Sequence, residues 1–213
     1  MLLQAKALTH RFERVLYEDL NLTLARGESV AIVGVSGSGK STILNNLSTM
    51  LKPSSGEVDI LDSKNIYSLS QNALLNLRRE KIGIIFQAHY LFRGFSVKEN
   101  LQIATILSKQ ELDLALLERF GIAQTLSQNI GELSGGQQQR LSIARILTKK
   151  PQIIFADEPT GNLDSQTARN VMECVLEYVK SARAGLIIAT HDMQIAQMCD
   201  RILQLHEGKL TTI

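Results

Sequence analysis

The chain has very little net charge for its size. Its 213 residues carry 23 Lys and Arg against 21 Asp and Glu, a formal balance of +2. That is too near neutrality for the basic footprint a nucleic-acid partner requires, so no nucleic acid is expected to bind. Long apolar runs are also missing, and none reaches the ~18 residues needed to span a bilayer. The opening "MLLQAKALTHRFERV" has no charged-then-apolar order, so no signal peptide is expected. There are only two cysteines, Cys174 and Cys199, both in helix-like stretches. They read as thiols of a reducing compartment rather than as a disulfide framework. Internal repeats and low-complexity segments are absent. What remains is a cytosolic α/β domain that meets a membrane only through a partner.

Short apolar runs alternate with helical patterns. "SVAIVG" (Ser29–Gly34), "IGIIF" (Ile82–Phe86), "QIIFAD" (Gln152–Asp157), "LIIAT" (Leu186–Thr190) and "RILQLHEG" (Arg201–Gly208) read as strands. Several are apolar throughout, as in a parallel sheet covered on both faces. Helices are expected after Lys40, from about Gln137 to Lys149, from Ser165 to Arg183 and from Asp192 to Cys199. This alternation implies a parallel α/β sheet. The first 30 residues and Gly56–Ile66 alternate in shorter strands and suggest a small antiparallel layer. From about His89 to Leu133 only helical spacing appears, which reads as a helical lobe inserted between core segments 1–88 and 134–213 of a single domain.

"GVSGSGKST" (Gly34–Thr42) follows an apolar strand and opens a helix. It fits G-x-x-x-x-G-K-[ST], and that context is what the motif requires. Gly34, Gly37 and Gly39, with Val35, Ser36 and Ser38 between them, let backbone N–H groups wrap a phosphate chain. The helix N-terminus adds partial positive charge. Lys40 reaches the β- and γ-phosphates, Ser41 is placed to ligate Mg²⁺, and Thr42 to bond an α-phosphate oxygen. The expected ligand is a nucleoside triphosphate with Mg²⁺.

"IIFADEPTGNLD" (Ile153–Asp164) is an apolar strand ending in Asp157 and Glu158. An Asp at a strand end beside a phosphate loop can hold Mg²⁺ through its water shell. Glu158 then sits where it can polarise an attacking water. Gln87 and His191 also close strands at the carboxyl edge, where ligands bind in parallel sheets. A neutral His191 there would donate a hydrogen bond to a phosphate oxygen or to the water. His10, His89 and His206 have no such placement.

"NIGELSGGQQQR" (Asn129–Arg140) is harder to explain. Two glycines and a polar run precede a helical pattern, with no acid, base or nucleophile beside them. Here a family resemblance supplies a reading. Taken in order, the motifs resemble those of the ATP-binding cassette ATPases, and the match covers nearly the whole chain. "GVSGSGKST" looks like the Walker A loop, Gln87 like the Q-loop glutamine and "LSGGQ" (Leu133–Gln137) like the signature. "IIFADE" looks like Walker B with its catalytic glutamate, "GNLD" like the D-loop and His191 like the switch histidine.

The resemblance implies a P-loop NTPase (RecA-like) α/β core with a small antiparallel β layer and the helical lobe. It implies ATP as substrate, Glu158 and His191 as catalytic residues, and Ser41, Gln87 and Asp157 as Mg²⁺ ligands. Phe12 falls where the family stacks an aromatic on adenine, with Tyr17 as the alternative. In the family, signature residues corresponding to Ser134, Gly135, Gly136 and Gln137 meet ATP held by a second subunit. A head-to-tail homodimer is therefore expected, beneath integral membrane subunits on the cytoplasmic face of the inner membrane.

"RREKIGIIFQAHYLF" and "ADEPTGNLDS" are most similar to the group serving lipoprotein release, macrolide efflux and cell division. Lipoprotein release is the leading expectation, with an ATP-gated cell-division regulator or a macrolide-efflux ATPase as alternatives. The final "HEGKLTTI" fits a stand-alone nucleotide-binding subunit. The lobe before "LSGGQ" is shorter than is usual for lipoprotein-release ATPases, which commonly carry "LSGGE". Chromosome and repair ATPases share "LSGG" but insert coiled coils or zinc modules. Here the loop and signature lie close together, with no heptad run or CxxC. Tyr90, Leu91 and Phe92 in "AHYLFRGFSVKEN" are open to two readings: core packing, or a groove for a short helix of a membrane subunit.

Overall fold

A computed structural model describes all residues, 1–213. The central sheet has six strands in the order β5-β6-β7-β3-β8-β9. These are β3 (Ser29–Val33), β5 (Ile82–Ile85), β6 (Ile153–Asp157), β7 (Gly185–Ala189), β8 (Arg201–His206) and β9 (Lys209–Thr212). The first five are mutually parallel, and β9 folds back antiparallel on β8. The apolar runs have a simple cause. Successive side chains of a strand point to opposite faces, and both faces are covered. Val30 and Ile32 join one core, while Ala31 and Val33 join the other. Ile153 and Phe155 likewise separate from Ile154 and Ala156.

One core lies beneath a three-stranded antiparallel sheet made of β1 (Leu3–Arg11), β2 (Val15–Leu24) and β4 (Ser55–Ile60), in the order β2-β1-β4. It also takes Ile43, Leu44 and Leu47 from α1 (Lys40–Leu47). The other core joins the sheet to α5 (Gly135–Thr148) and α6 (Ser165–Ser181). The lobe between β5 and α5 contains α3 (Val97–Ser108) and α4 (Leu114–Arg119). Its Leu101, Leu117, Phe120 and Ile130 belong to the same cluster as the sheet residues. The lobe is thus continuous with the core rather than a separate body.

Local chemistry sets the helix starts. Ser96 caps α3 through a reciprocal box with Glu99, Asp164 caps α6, and Asp192 caps the short α7 (Met193–Ala196). Two elements were not expected from the sequence. One is α2 (Gln71–Glu80), capped by Ser70. Its Leu77 is buried and Leu74 packs partly buried against the same core, so three-residue spacing sets a narrow apolar face on an otherwise polar helix. The other is β9. The expected strand to Gly208 stops at His206, and a two-residue turn returns the chain. Glu207 and Gly208 both have positive φ, +48° and +74°, as a tight hairpin requires. The helix expected from about Gln137 begins at Gly135, because Ser134 is its cap. The helix expected over Asp192–Cys199 is regular only over Met193–Ala196.

Candidate active site

The loop from Gly34 to Gly39 joins β3 to α1. Gly37 has φ +76° and Gly39, the N-cap, has φ +110°, both in the left-handed region that suits glycine. A Cβ at Gly39 would also lie 2.9 Å from the Leu16 side chain. No side chain caps α1, and no acid lies in its first turn. Its positive end is therefore left for an external anion. Lys40 is buried, and its ammonium donates to the carbonyls of Gly34 (2.8 Å) and Val35 (3.1 Å). The buried Ser38 hydroxyl has no protein partner.

The carboxylates meet this loop from the next strands. Ser41 donates to Asp157 Oδ1 at 3.0 Å. Burial raises the Asp157 carboxyl above its usual range, and nearby Glu158 adds to this. The Ser41 hydrogen bond and Lys40 oppose the shift. Glu158 has φ +44°, a strained geometry for a non-glycine residue that is common at functional sites. Its carboxylate accepts from the Thr190 hydroxyl (3.2 Å) and from the His191 backbone N–H (3.0 Å). His191 Nδ1 lies 2.8 Å from the same carboxylate, with its ring largely exposed. When that contact is an Nδ1–H bond, a neutral His191 has an acceptor at Nε2. It can then donate to a phosphate from Nε2 only when protonated, which narrows the role expected of a neutral ring.

These groups line one cleft of ≈340 Å³. Ser36, Gly37, Lys40 and Ser41 form one wall, and Gln87, Asp157, Glu158 and His191 the other. All eight had been singled out from the sequence, and none is hydrophobic. The uncapped helix end and the buried lysine suit a phosphate chain, and the Ser41–Asp157 oxygens suit a hard cation.

Other candidate residues lie elsewhere. Phe12 is exposed and packs edge-on against His10, but it does not line this cleft. Tyr17 is buried, with its hydroxyl donating to Asn46, so it presents no face to a ligand. Ser134, Gly135, Gly136 and Gln137 also lie outside the cleft. Ser134 Oγ accepts from the Gln137 N–H (3.2 Å), and Gln137 Oε1 accepts from the Ser134 N–H (2.8 Å). A Cβ at Gly135 would meet nothing within 4 Å. Gly135 thus sits in the helix's first turn with open space in front of it that nothing in this chain requires. A Cβ at Gly136, by contrast, would lie 3.3 Å from the Leu163 side chain, so Gly136 lets α5 approach the segment after Glu158 closely.

Several supporting residues escaped the sequence reading. Thr190 holds Glu158 and also accepts from the Asp192 N–H at 3.0 Å. The buried Gln139 donates to the Pro159 carbonyl, tying α5 to the segment after Glu158. Gln138 donates to the carbonyls of Ile130 (3.3 Å) and Leu133 (3.1 Å) and lies 3.3 Å from His89. The polar run after "LSGG" therefore fastens the helix to both of its flanks. The only sequence signal was that run itself, since its partners lie in distant segments.

The family described as "ABC transporter" matches residues 17–161. The chain belongs to the ABC transporter family. Its relatives include ABC ATPases named lipoprotein-releasing system ATP-binding protein LolD. The one from Xanthomonas campestris pv. campestris is 41% identical over 200 residues, covering 91% of this chain and 83% of the relative. The one from Pseudomonas fluorescens is 42% identical over 205 residues, covering 93% and 90%. Among solved ABC structures, a dimeric ATP-binding cassette in a post-hydrolysis state with ADP and Pi superposes with a TM-score of 0.89. It is 32% identical and covers 98% of this chain and 96% of that one. The ABC fold and ATPase class are thereby shown.

The ABC chain also carries an exposed aromatic surface after Gln87. Leu91 packs on the core, whereas Tyr90, Phe92 and Phe95 remain exposed. The two readings open for this segment thus divide residue by residue. The buried Asn100 fixes the surface by accepting from Phe92 N (2.9 Å) and donating to its carbonyl (3.1 Å). Arg145 donates to the Tyr90 carbonyl and lies 5.8 Å from the Phe92 ring centre. No helix of the chain is long and apolar enough to cross a membrane.

Proposed function

We propose that this chain is the ATP-hydrolysing subunit of a transporter that releases lipoproteins from the inner membrane. It works as a head-to-tail pair, peripheral on the cytoplasmic face, beneath integral membrane subunits. One observation carries the reading. The cleft holds a phosphate loop and a Glu158–His191 pair, while the signature helix presents Gly135 to open space outside it. Each chain then has two half-sites, and two-fold pairing completes both. Relatives about 40% identical that are named for lipoprotein release support the cargo.

In this reading the Gly34–Gly39 backbone and Lys40 hold the β- and γ-phosphates, and Thr42 bonds the α-phosphate. Phe12 stacks on adenine. Ser41, Gln87 and Asp157 would hold Mg²⁺, which when bound neutralises charge on the phosphate oxygens. Glu158 takes a proton from, or orients, the attacking water. Thr190 and His191 fix the carboxylate for that task. Ser134, Gly135, Gly136 and Gln137 of a second copy approach the γ-phosphate, adding the positive end of α5. ATP favours the closed pair because both copies contact it, and hydrolysis releases them. The Tyr90–Phe92–Phe95 surface takes a short cytoplasmic helix of the membrane subunit.

Glu158→Gln tests the core of this reading. Turnover should fall by about 10²–10⁴-fold, while ATP is still bound and a stable dimer appears on size-exclusion chromatography. Undiminished hydrolysis would overturn the assignment. Copurification with a membrane subunit carrying a large lipoprotein-binding periplasmic domain tests the cargo. A partner lacking such a domain would point to the cell-division reading.

A further inference from the structure

A second concavity is larger than the cleft described above. It has a volume of ≈520 Å³ and lies where α2, α3 and α5 end together. Each of these helices finishes on a lysine at its C-cap: Lys81, Lys109 and Lys149. Arg79 and Lys150 complete five cations around it, and Glu80 is its only acid.

The simplest account is that the lysines neutralise helix dipoles. Three helix ends carry about −0.5 charge each. With Glu80 they offset about half of the five positive charges. Glu80 is itself paired with Arg79 at 3.2 Å. Lys149 is committed to structure, donating to the carbonyls of Arg78 (3.0 Å) and Ile82 (2.9 Å), and burial lowers its pKa. Lys81, Lys109 and Lys150 form no ion pair. Positive charge is therefore left over, and it faces a hollow.

The rim adds a second chemistry. Ile106 and Leu107 on α3 are 74% and 52% exposed beside these cations. Surplus cations edged by exposed aliphatics match an acidic phospholipid surface, which offers phosphates with acyl chains beneath them. The position agrees. Lys149 follows Arg145 by one turn on α5, about 6 Å away, and Arg145 anchors the aromatic surface assigned to the membrane subunit. The hollow lies at the C-terminal end of α5, opposite the Ser134 cap, and shares no residue with the nucleotide cleft.

We propose that this basic hollow binds acidic phospholipid headgroups and seats the outer part of the subunit on the membrane. The proposal rests on the membrane-associated reading above, but its test does not need the membrane partner. The full chain is floated with vesicles of phosphatidylglycerol and phosphatidylcholine, and with phosphatidylcholine alone. Binding should require phosphatidylglycerol and fall with salt. Each cation removed should weaken it about fivefold, so the triple variant Arg79→Gln, Lys109→Gln, Lys150→Gln should lose about 100-fold. A matched triple with Arg26→Gln, Lys52→Gln and Arg183→Gln, all exposed elsewhere, should float like the parent. Leu107→Ser should weaken binding severalfold even in low salt.

Equal loss in both triples would mean only a general charge effect and would overturn the proposal. So would absence of phosphatidylglycerol-dependent binding by the parent. If the first triple floats normally but no longer copurifies with the membrane subunit, the hollow contacts protein and the lipid assignment fails. ATP turnover without vesicles should be unchanged in the first triple, which separates lipid binding from folding. Failure of vesicle binding alongside a Glu158→Gln variant that loses turnover would sink this inference and leave the ATPase reading standing.

Discussion

Two helix N-termini in this molecule carry glycines, and they are prepared differently. That of α1 has Gly39 as its cap, no side-chain hydrogen bond and no acid in its first turn. It faces a cleft built wholly by its own chain. That of α5 is closed by the reciprocal Ser134–Gln137 bonds, and its leading glycine faces nothing. The first end is electrostatically unfinished and awaits a ligand. The second is locally finished, and Gly135 keeps the way open for an approach from outside. The difference shows how one chain can hold two unlike halves of a site without bringing them together.

Four changes test that contrast, from the largest effect to the smallest. Lys40→Ala should strip the α1 end of its charged donor and weaken ATP binding at least ~30-fold in isothermal titration, the scale of a charge-assisted bond. Gly135→Asp should leave that binding intact, because the position is remote from the cleft. An acid in a helix's first turn stabilises it by about 0.5 kcal/mol, so the fold should survive. ATP-dependent dimerisation in a Glu158→Gln background should nevertheless fall more than tenfold through repulsion of the phosphate. If both variants lose ATP binding alike, the two ends are not the separate half-sites described.

Ser134→Ala removes the cap of α5 and should cost about 1 kcal/mol. For a domain of this size that lowers Tm by about 2–4 °C, with ATP binding by the monomer unchanged. No change in Tm would show that the capping box is not holding the helix end.

Asp157→Asn examines the α1 side by its cost to stability. Burial holds the Asp157 carboxyl above its unfolded pKa. The unfolded chain therefore gives up this proton more readily than the folded one. Stability falls as pH rises from the unfolded value through the raised folded value, and it stays lower above that. The amide removes this penalty and should raise Tm at neutral pH, an effect that shrinks below the unfolded pKa. Turnover should be lost. A lower Tm at neutral pH would mean that the carboxylate stabilises the free protein instead.

Much of the site was legible because its motifs are local. A strand, a glycine turn and a helix follow one another from Ser29 to Leu47, so the chemistry of Lys40 and Ser41 can be read within one short window. Asp157 and Glu158 were legible for the same reason, as the end of an apolar strand. What escaped depends on contacts across the chain. Thr190 grips Glu158 from 32 residues away, and Gln139 grips Pro159 from 20. Tyr17 and Phe12 are both aromatics near the N-terminus, and only burial against Asn46 removes Tyr17 as a stacking surface. The helix α2 is hard to read because it is short and mostly polar, with only Leu74 and Leu77 turned to the core, and the basic hollow because its cations come from three separate helix ends.

The sequence by itself determined the class of sheet, the phosphate loop and the two strand-end carboxylates, since strand period and turn chemistry act over a few neighbouring residues. It also placed "LSGGQ" at the mouth of a helix. The tertiary structure decided that this mouth opens outward rather than onto the chain's own cleft, that Glu158 is held by Thr190 and His191, and that three lysine-capped helices end together. Those outcomes depend on how the two cores pack around the sheet, and packing brings together residues that no local pattern relates.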